Sequence, residues 1–147
     1  VVYFDTSFLT PLFLEEPTSE AVEHFIAGLP VAELSTSHWT RVEFASLLAR
    51  EVRMGGLSEA EARSADVAFE ETIRESFHIL TPTADDFDRA KVLLARPRTG
   101  LRAGDAMHLA MASQRAIGVI YSLDRGLLKA GALLNVTASD ASVLPDG

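Results

Sequence analysis

Asp5, Glu43, Asp105 and Asp124 are the residues of this 147-residue chain that could do chemistry together. Each stands beside apolar residues, in "VVYFD", "HWTRVEFASLL", "LRAGDAMHLAMA" and "GVIYSLD". Carboxylates crowded into one crevice repel, and burial costs each of them several kcal/mol unless a cation compensates. Oxygen donors in a chain without cysteine select a hard ion such as Mg²⁺ or Mn²⁺. Four carboxylates balance two divalent ions in formal charge. Such a cluster suits phosphodiester hydrolysis. One ion acidifies and orients a water, and a second, about 3.5–4 Å away, steadies the leaving oxygen. The ions would also cancel the field that repels an RNA strand.

Taken singly, each acid has a plainer role. Asp5 and Asp124 could each cap a following helix. Asp105 could be a first-turn acid favoured by the helix dipole. Glu43 could pair with Arg50 or with a neighbouring chain. Only convergence of all four on one crevice makes a chemical centre of them.

The elements that must bring them together can be read from periodicity. Glycine and proline punctuate the chain at Gly28, Pro30, Gly55, Gly56, Pro82, Pro97, Gly100 and Gly118. Short apolar runs predict strands over 1–4, 31–37, 77–80, 118–123 and 135–138. The first and fourth are continuously apolar, as a strand covered on both faces should be. Longer amphipathic runs predict helices over 18–27 and 39–54, and from a capping box at Ser58 to about residue 76. Further helices run from Thr83 to near residue 96, over 103–116 and over 125–130. Alternating strands and helices imply a parallel sheet with helices on both faces, and ligands then bind beyond the carboxyl ends of the strands. Asp5 and Asp124 directly follow the first and fourth strands. Asp105 opens the helix leading into the fourth, and Glu43 lies within the helix after the second.

These segments, in this order, resemble the PIN-domain ribonucleases, and among them the VapC toxins of bacterial toxin–antitoxin pairs. "VVYFDTSFLTPLFLEE" resembles the opening strand, acid and helix. "STSHWTRVEFASLLAR" resembles the second segment, with Glu43 as its acid. "LRAGDAMHLAMA" is the most specific of the four, and "GVIYSLDRGLLKAGALLNV" supplies Asp124. Together they span almost the whole chain. The resemblance implies a single domain over 1–147: an α/β/α sandwich with a mostly parallel sheet of about five strands flanked by helices. It implies a Mg²⁺- or Mn²⁺-dependent endoribonuclease with Asp5, Glu43, Asp105 and Asp124 as its acidic quartet. Ser7 matches a small polar residue two after the first acid. Ser122 stands where relatives commonly have threonine, and keeps the hydroxyl. The implied partners are an RNA substrate, a second copy of the chain, and a VapB-type antitoxin that wraps the toxin and occludes its site. DNA would be met only through the antitoxin. The helices between Thr18 and Ser76 resemble the region relatives use for antitoxin and dimer contacts.

Other features bear on this expectation. The net charge of −8 argues against a generic electrostatic grip on nucleic acid and calls for a local basic rim. "ARPRTGLRAGD" offers Arg96, Arg98 and Arg102, of which Arg102 is nearest the site and the candidate phosphate contact. Arg41, Arg50 and Arg53 read as ordinary helix-surface charges. His108 reads as a packed histidine bonded to a neighbouring group. Trp39, Phe44, Phe69 and Phe87 read as core or partner-interface residues. The absence of cysteine suits a reducing cytoplasm, and no apolar run approaches the roughly 20 residues that span a bilayer. The opening lacks a basic stretch, so no signal peptide is expected; lacking a methionine, the chain reads as trimmed or processed. A phosphoacceptor receiver domain fits poorly, because Asp5 has no adjacent acid and Pro82 and Thr83 follow the third strand. The alternative is a non-catalytic PIN-like module that binds RNA or an antitoxin; such modules usually lack one or more of the acids.

Overall fold

The computed structural model describes residues 1–145. Five strands form one sheet: β1 (Val2–Phe4), β2 (Leu34–Ser37), β3 (His78–Leu80), β4 (Val119–Tyr121) and β5 (Ala138–Ser139). Their spatial order is β3-β2-β1-β4-β5, and every pairing is parallel. Val2 stands opposite Leu34 on one side and Val119 on the other. The helices are α1 (Thr6–Leu9), α2 (Ser19–Ala27), α3 (His38–Arg53), α4 (Glu59–Ser76), α5 (Ala84–Leu94), α6 (Ala103–Ser113) and α7 (Arg125–Leu133). No helix of the described residues is long and apolar enough to cross a membrane.

The central strand alternates between two cores, as successive residues of a strand must. Tyr3 points into a cluster built from α5, α6 and α7, with Leu93, Leu109, Met111, Ile120 and Leu127. Phe4 points into the other, built from α1 to α4, with Phe8, Phe44, Leu48, Phe69 and Ile73. Phe44 stacks on Phe69 with ring centres 4.4 Å apart. Helix α6 is buried without a break from Ala106 to Ala112. Its alanines at 106, 110 and 112 let its backbone approach the sheet beneath it.

Most boundaries follow local chemistry. Ser58 and Glu61 close the expected capping box. The sheet is wholly rather than mostly parallel. Three strands differ from the sequence expectation. The fourth ends at Tyr121 rather than residue 123, where the backbone turns to bond Ser7 and Ser122, so Asp124 does not directly follow it. Over 31–37 only the second half is strand: Val31–Glu33 forms a 3-10 turn after Pro30, with Val31 exposed. The last strand begins at Ala138 rather than Asn135. Asn135 takes a left-handed φ of 58°, and the Val136 N–H returns to the Gly131 carbonyl, so 135–137 close α7 instead.

Helix α6 also ends early, at Ser113, and α5 carries a stronger N-terminus than expected. One residue connects these facts. Asp86, fully buried, closes a capping box with Thr83 at the start of α5. It also accepts from Arg115 Nη1 and Nη2 at 2.7 and 2.6 Å and from Gln114 Nε2 at 2.8 Å. Residues 114 and 115 therefore leave the helix and tie α6 to α5. The Arg115 guanidinium and the Thr83 and Gln114 donors hold the Asp86 carboxyl far below the usual carboxylate range.

A carboxyl depressed by folding contributes stability above its unfolded value of about 3.9 and loses it as pH falls towards its folded value. Asp86→Asn should therefore cost about 3 kcal/mol at pH 7, where it leaves Arg115 unpaired. That deficit should shrink as pH falls below about 4. Urea unfolding at pH 7 and pH 3 checks this; an equal deficit at both would refute the assignment.

Candidate active site

From β1 the chain proceeds to β2 and β3 on one side of the sheet, then crosses to β4 and β5 on the other. Connections leaving β1 and β4 diverge, which opens a crevice at their carboxyl ends. Asp5 immediately follows β1, and Asp124 lies three residues past β4. A cleft of about 510 Å³ opens there, lined by Asp5, Glu43, Asp105 and Asp124 together. All four acids singled out in the sequence thus face one space.

Asp5 is 2% exposed. Its Oδ1 accepts from the Phe8 N–H at 3.0 Å, capping α1, and from Ser7 Oγ at 2.7 Å. Its Oδ2 accepts from Ser122 Oγ at 2.5 Å. Each hydroxyl is itself oriented: Ser7 accepts from the Leu123 N–H and Ser122 from the Asp124 N–H. Burial still raises the Asp5 carboxyl, against the opposing pull of His108 and these donors. Ser7 and Ser122, the two serines singled out in the sequence, thus both donate to this carboxylate.

Asp124 is also a helix cap, its Oδ1 accepting from the Leu127 N–H at 2.9 Å. Capping and cleft-lining are not alternatives for Asp5 or Asp124; each does both. Asp105 sits in the first turn of α6. Burial pushes its carboxyl up to about 6, and the nearby charges of Asp124 and Asp5 push the same way.

Glu43 projects from α3 across the carboxyl edge of the sheet to meet α6. It pairs with His108, not with Arg50. Its Oε1 accepts from Thr6 Oγ1 at 2.6 Å and lies in close contact with His108 Nε2. Burial alone would raise the Glu43 carboxyl, but His108, Thr6 and Trp39 hold it below its ordinary value. The Trp39 indole N–H is buried without a regular hydrogen-bond partner. A Cβ at Gly104 would meet Glu43 Oε2, so a side chain there would have to push this carboxylate aside. His108 is the packed histidine expected, although its partners are Glu43 and Tyr3 rather than its helix neighbour Asp105.

The mouth of the cleft carries Arg50, Arg53 and Arg102. Arg102 stands where the sequence suggested. Arg50 and Arg53 are a correction, since they had read as ordinary surface charges. The signal was available: Glu43, Leu47 and Arg50 follow helical spacing, and all three line the cleft. Arg41 instead pairs with Glu70 of α4. Arg96 and Arg98 are absent from the lining. Phe44 and Phe69 are core, whereas Phe87 is 52% exposed.

The donor set suits a hard divalent cation. Three aspartates and a glutamate offer oxygen, and the mutual repulsion felt by Asp105 is the kind a cation relieves. Among the described residues, no group of three or more acidic or histidine side chains is gathered closely enough to hold a metal ion. Mg²⁺ commonly keeps several waters and takes only one or two carboxylates directly.

No curated protein matches this chain in sequence. Solved structures do match in fold. FitAcB from Neisseria gonorrhoeae superposes with a TM-score of 0.76 at 18% identity, over 98% of this chain and 100% of that one. VapC20 from Mycobacterium tuberculosis, described as a sarcin–ricin loop cleaving toxin, gives 0.70 at 22% identity, over 89% and 95%. VapBC-1 from nontypeable Haemophilus influenzae gives 0.66 at 15% identity, over 97% and 99%. The sequence model of the PIN domain matches residues 2–133, through all four acidic positions. By that match, and with the parallel sheet and switch-point cleft it accounts for, the chain belongs to the PIN-domain family.

Proposed function

We propose that this chain is a metal-dependent endoribonuclease, the toxin of a VapBC-type toxin–antitoxin pair. The observation that carries the reading is the convergence of Asp5, Glu43, Asp105 and Asp124 on one cleft rimmed by arginines. The toxin described for the Mycobacterium tuberculosis structure supports it by analogy of fold.

In this reading Asp5, Glu43, Asp105 and Asp124 would hold Mg²⁺ or Mn²⁺, directly or through water, and the ion would acidify water and stabilise charge on the phosphate. Asp5 is the most rigid of the four, because three donors fix both of its oxygens. Asp105 is presented by a buried helix, which holds a ligand more firmly than a loop does. Arg50, Arg53 and Arg102 take the phosphates flanking the scissile bond. The antitoxin would lie in the groove beside the cleft, lined by Phe13, Leu14, Leu47, Leu57 and Ala65. That groove shares Leu47 and Arg50 with the cleft, so an occupant would crowd the site.

Purified protein should cut RNA to fragments with 5′-phosphate ends in Mg²⁺ or Mn²⁺, and not in EDTA. Asp5→Ala and Asp105→Asn should each reduce the rate by about 100-fold or more. Cleavage that survives both changes and EDTA would sink the proposal. Charge reversal at Arg50 and Arg53 should weaken binding of a single-stranded RNA by Asp5→Ala protein. It should also flatten the plot of log affinity against log salt by about 0.7 per lost phosphate contact. An unchanged slope would remove these arginines from the RNA path.

Asp105 should also trade stability for function. Its folded pKa of about 6 exceeds the unfolded value of about 3.9, so the folded chain holds the proton more tightly. Ionisation then works against folding, and stability falls as pH rises from about 4 to about 6. Asp105→Asn should therefore stabilise the metal-free protein at pH 7.5, by about 1 kcal/mol after solvent screening at its open side. The gain should vanish at pH 4. Thermal melts in EDTA at both pH values decide it; no gain at pH 7.5 would contradict the assignment.

A further inference from the structure

His108 is 2% exposed, and both of its ring nitrogens are engaged. Nε2 meets Glu43 Oε1, and Nδ1 lies 2.6 Å from the Tyr3 hydroxyl. The same hydroxyl lies 2.8 Å from Ser37 Oγ. Tyr3 belongs to the central strand, Ser37 to β2, His108 to α6 and Glu43 to α3. One line of contacts therefore crosses four elements and ends on an acid of the cleft.

Proton counting gives this line a direction. Burial pushes the Tyr3 phenol well above its ordinary value, so it keeps its single proton. Its shorter contact is to His108, and Ser37 can supply a proton to the phenol oxygen from behind. With Tyr3 donating to Nδ1, the ring hydrogen must sit on Nε2, where it faces Glu43. Thr6 donates to the same carboxylate oxygen at 2.6 Å. Oε1 is thereby held by two donors, while Oε2 lies beside Gly104 and the Trp39 indole.

We propose that His108, locked by the Tyr3 hydroxyl, is a positioning residue that sets the Glu43 carboxylate for cation binding. It touches neither substrate nor cation. This deepens the metal-site reading of the cleft and rests on it. An apolar side chain of similar size could fill the core at 108 and at the hydroxyl of residue 3. What it could not do is present an N–H to Glu43 at a fixed angle. Partners of this kind, one step behind a ligand, typically set metal affinity by about 10–100-fold.

The test is a Mn²⁺ titration of wild type, Tyr3→Phe, His108→Leu and His108→Gln, with thermal melts of each and ring-nitrogen NMR of metal-free wild type. Tyr3→Phe removes one oxygen and keeps the ring, so it remains informative if His108→Leu fails to fold. Expected is the Nε2–H tautomer in wild type, and Mn²⁺ binding weakened about 10-fold or more in Tyr3→Phe and His108→Leu. His108→Gln, whose amide can still donate to Glu43, should recover most of the loss. Folded Tyr3→Phe protein that binds Mn²⁺ as wild type does, or a His108 ring protonated on Nδ1 alone, would overturn the proposal. A wild-type protein that takes up no Mn²⁺ would overturn the metal-site reading and this proposal with it. The wild-type titration alone separates that failure from the others.

Discussion

Burying the Asp5 carboxylate is the constraint around which the centre of this molecule is arranged. An acid at the end of the middle strand of a parallel sheet has little water to solvate it. Its oxygens must be met from the chain, and they are, by the Phe8 amide and the hydroxyls of Ser7 and Ser122. Satisfying those hydroxyls in turn fixes the backbone after β4, through the Leu123 and Asp124 amides. The loop that carries Asp124 is therefore held in place by the residue it must stand beside. A serine at 122 meets this need as well as a threonine would, since the hydroxyl does the work.

The same economy runs through the other acids. Asp5 and Asp124 each use a single oxygen to start a helix while lining the cleft. Glu43 is bonded by Thr6 and His108, and His108 in turn meets a tyrosine that is also core packing. Asp105 is the exception: its carboxyl accepts no hydrogen bond among the described residues, and burial together with the charges of Asp124 and Asp5 raises its pKa. Three acids are held by the fold, whereas Asp105 is left facing charge of its own sign. Such a group destabilises the empty protein and becomes favourable only when a cation arrives.

The sequence carried the site better than it carried the sheet. All four acids were legible, because a carboxylate at a strand end or on an apolar helix flank breaks the local pattern. A site at the carboxyl edge of the sheet followed from the alternation of strands and helices, whereas its place between β1 and β4 depends on the strand order. Strand limits were less legible, since residues 31–33 and 135–137 have strand-like composition. What decides them is a turn: Pro30 in one case, the left-handed Asn135 in the other. The supporting residues were hardest to see. Nothing in "VVYFD" says that Tyr3 will reach His108, 105 residues away. That contact exists only once β1 lies beneath α6. Arg50 and Arg53 are a different kind of omission, because the helical spacing from Glu43 could have placed them.

The net charge of −8 looks hostile to a polyanionic substrate, but the balance that matters is local. At physiological salt, exposed charges beyond about 8 Å of one another are largely screened. Among the described residues, four acidic side chains line the cleft, and three arginines line it with them. Four carboxylates against three guanidiniums leave a single uncompensated negative charge. One divalent cation is enough to turn the lining positive, and a second would make it strongly so. The affinity of this cleft for a phosphate chain should then be switched by the cation more than by the protein's overall charge.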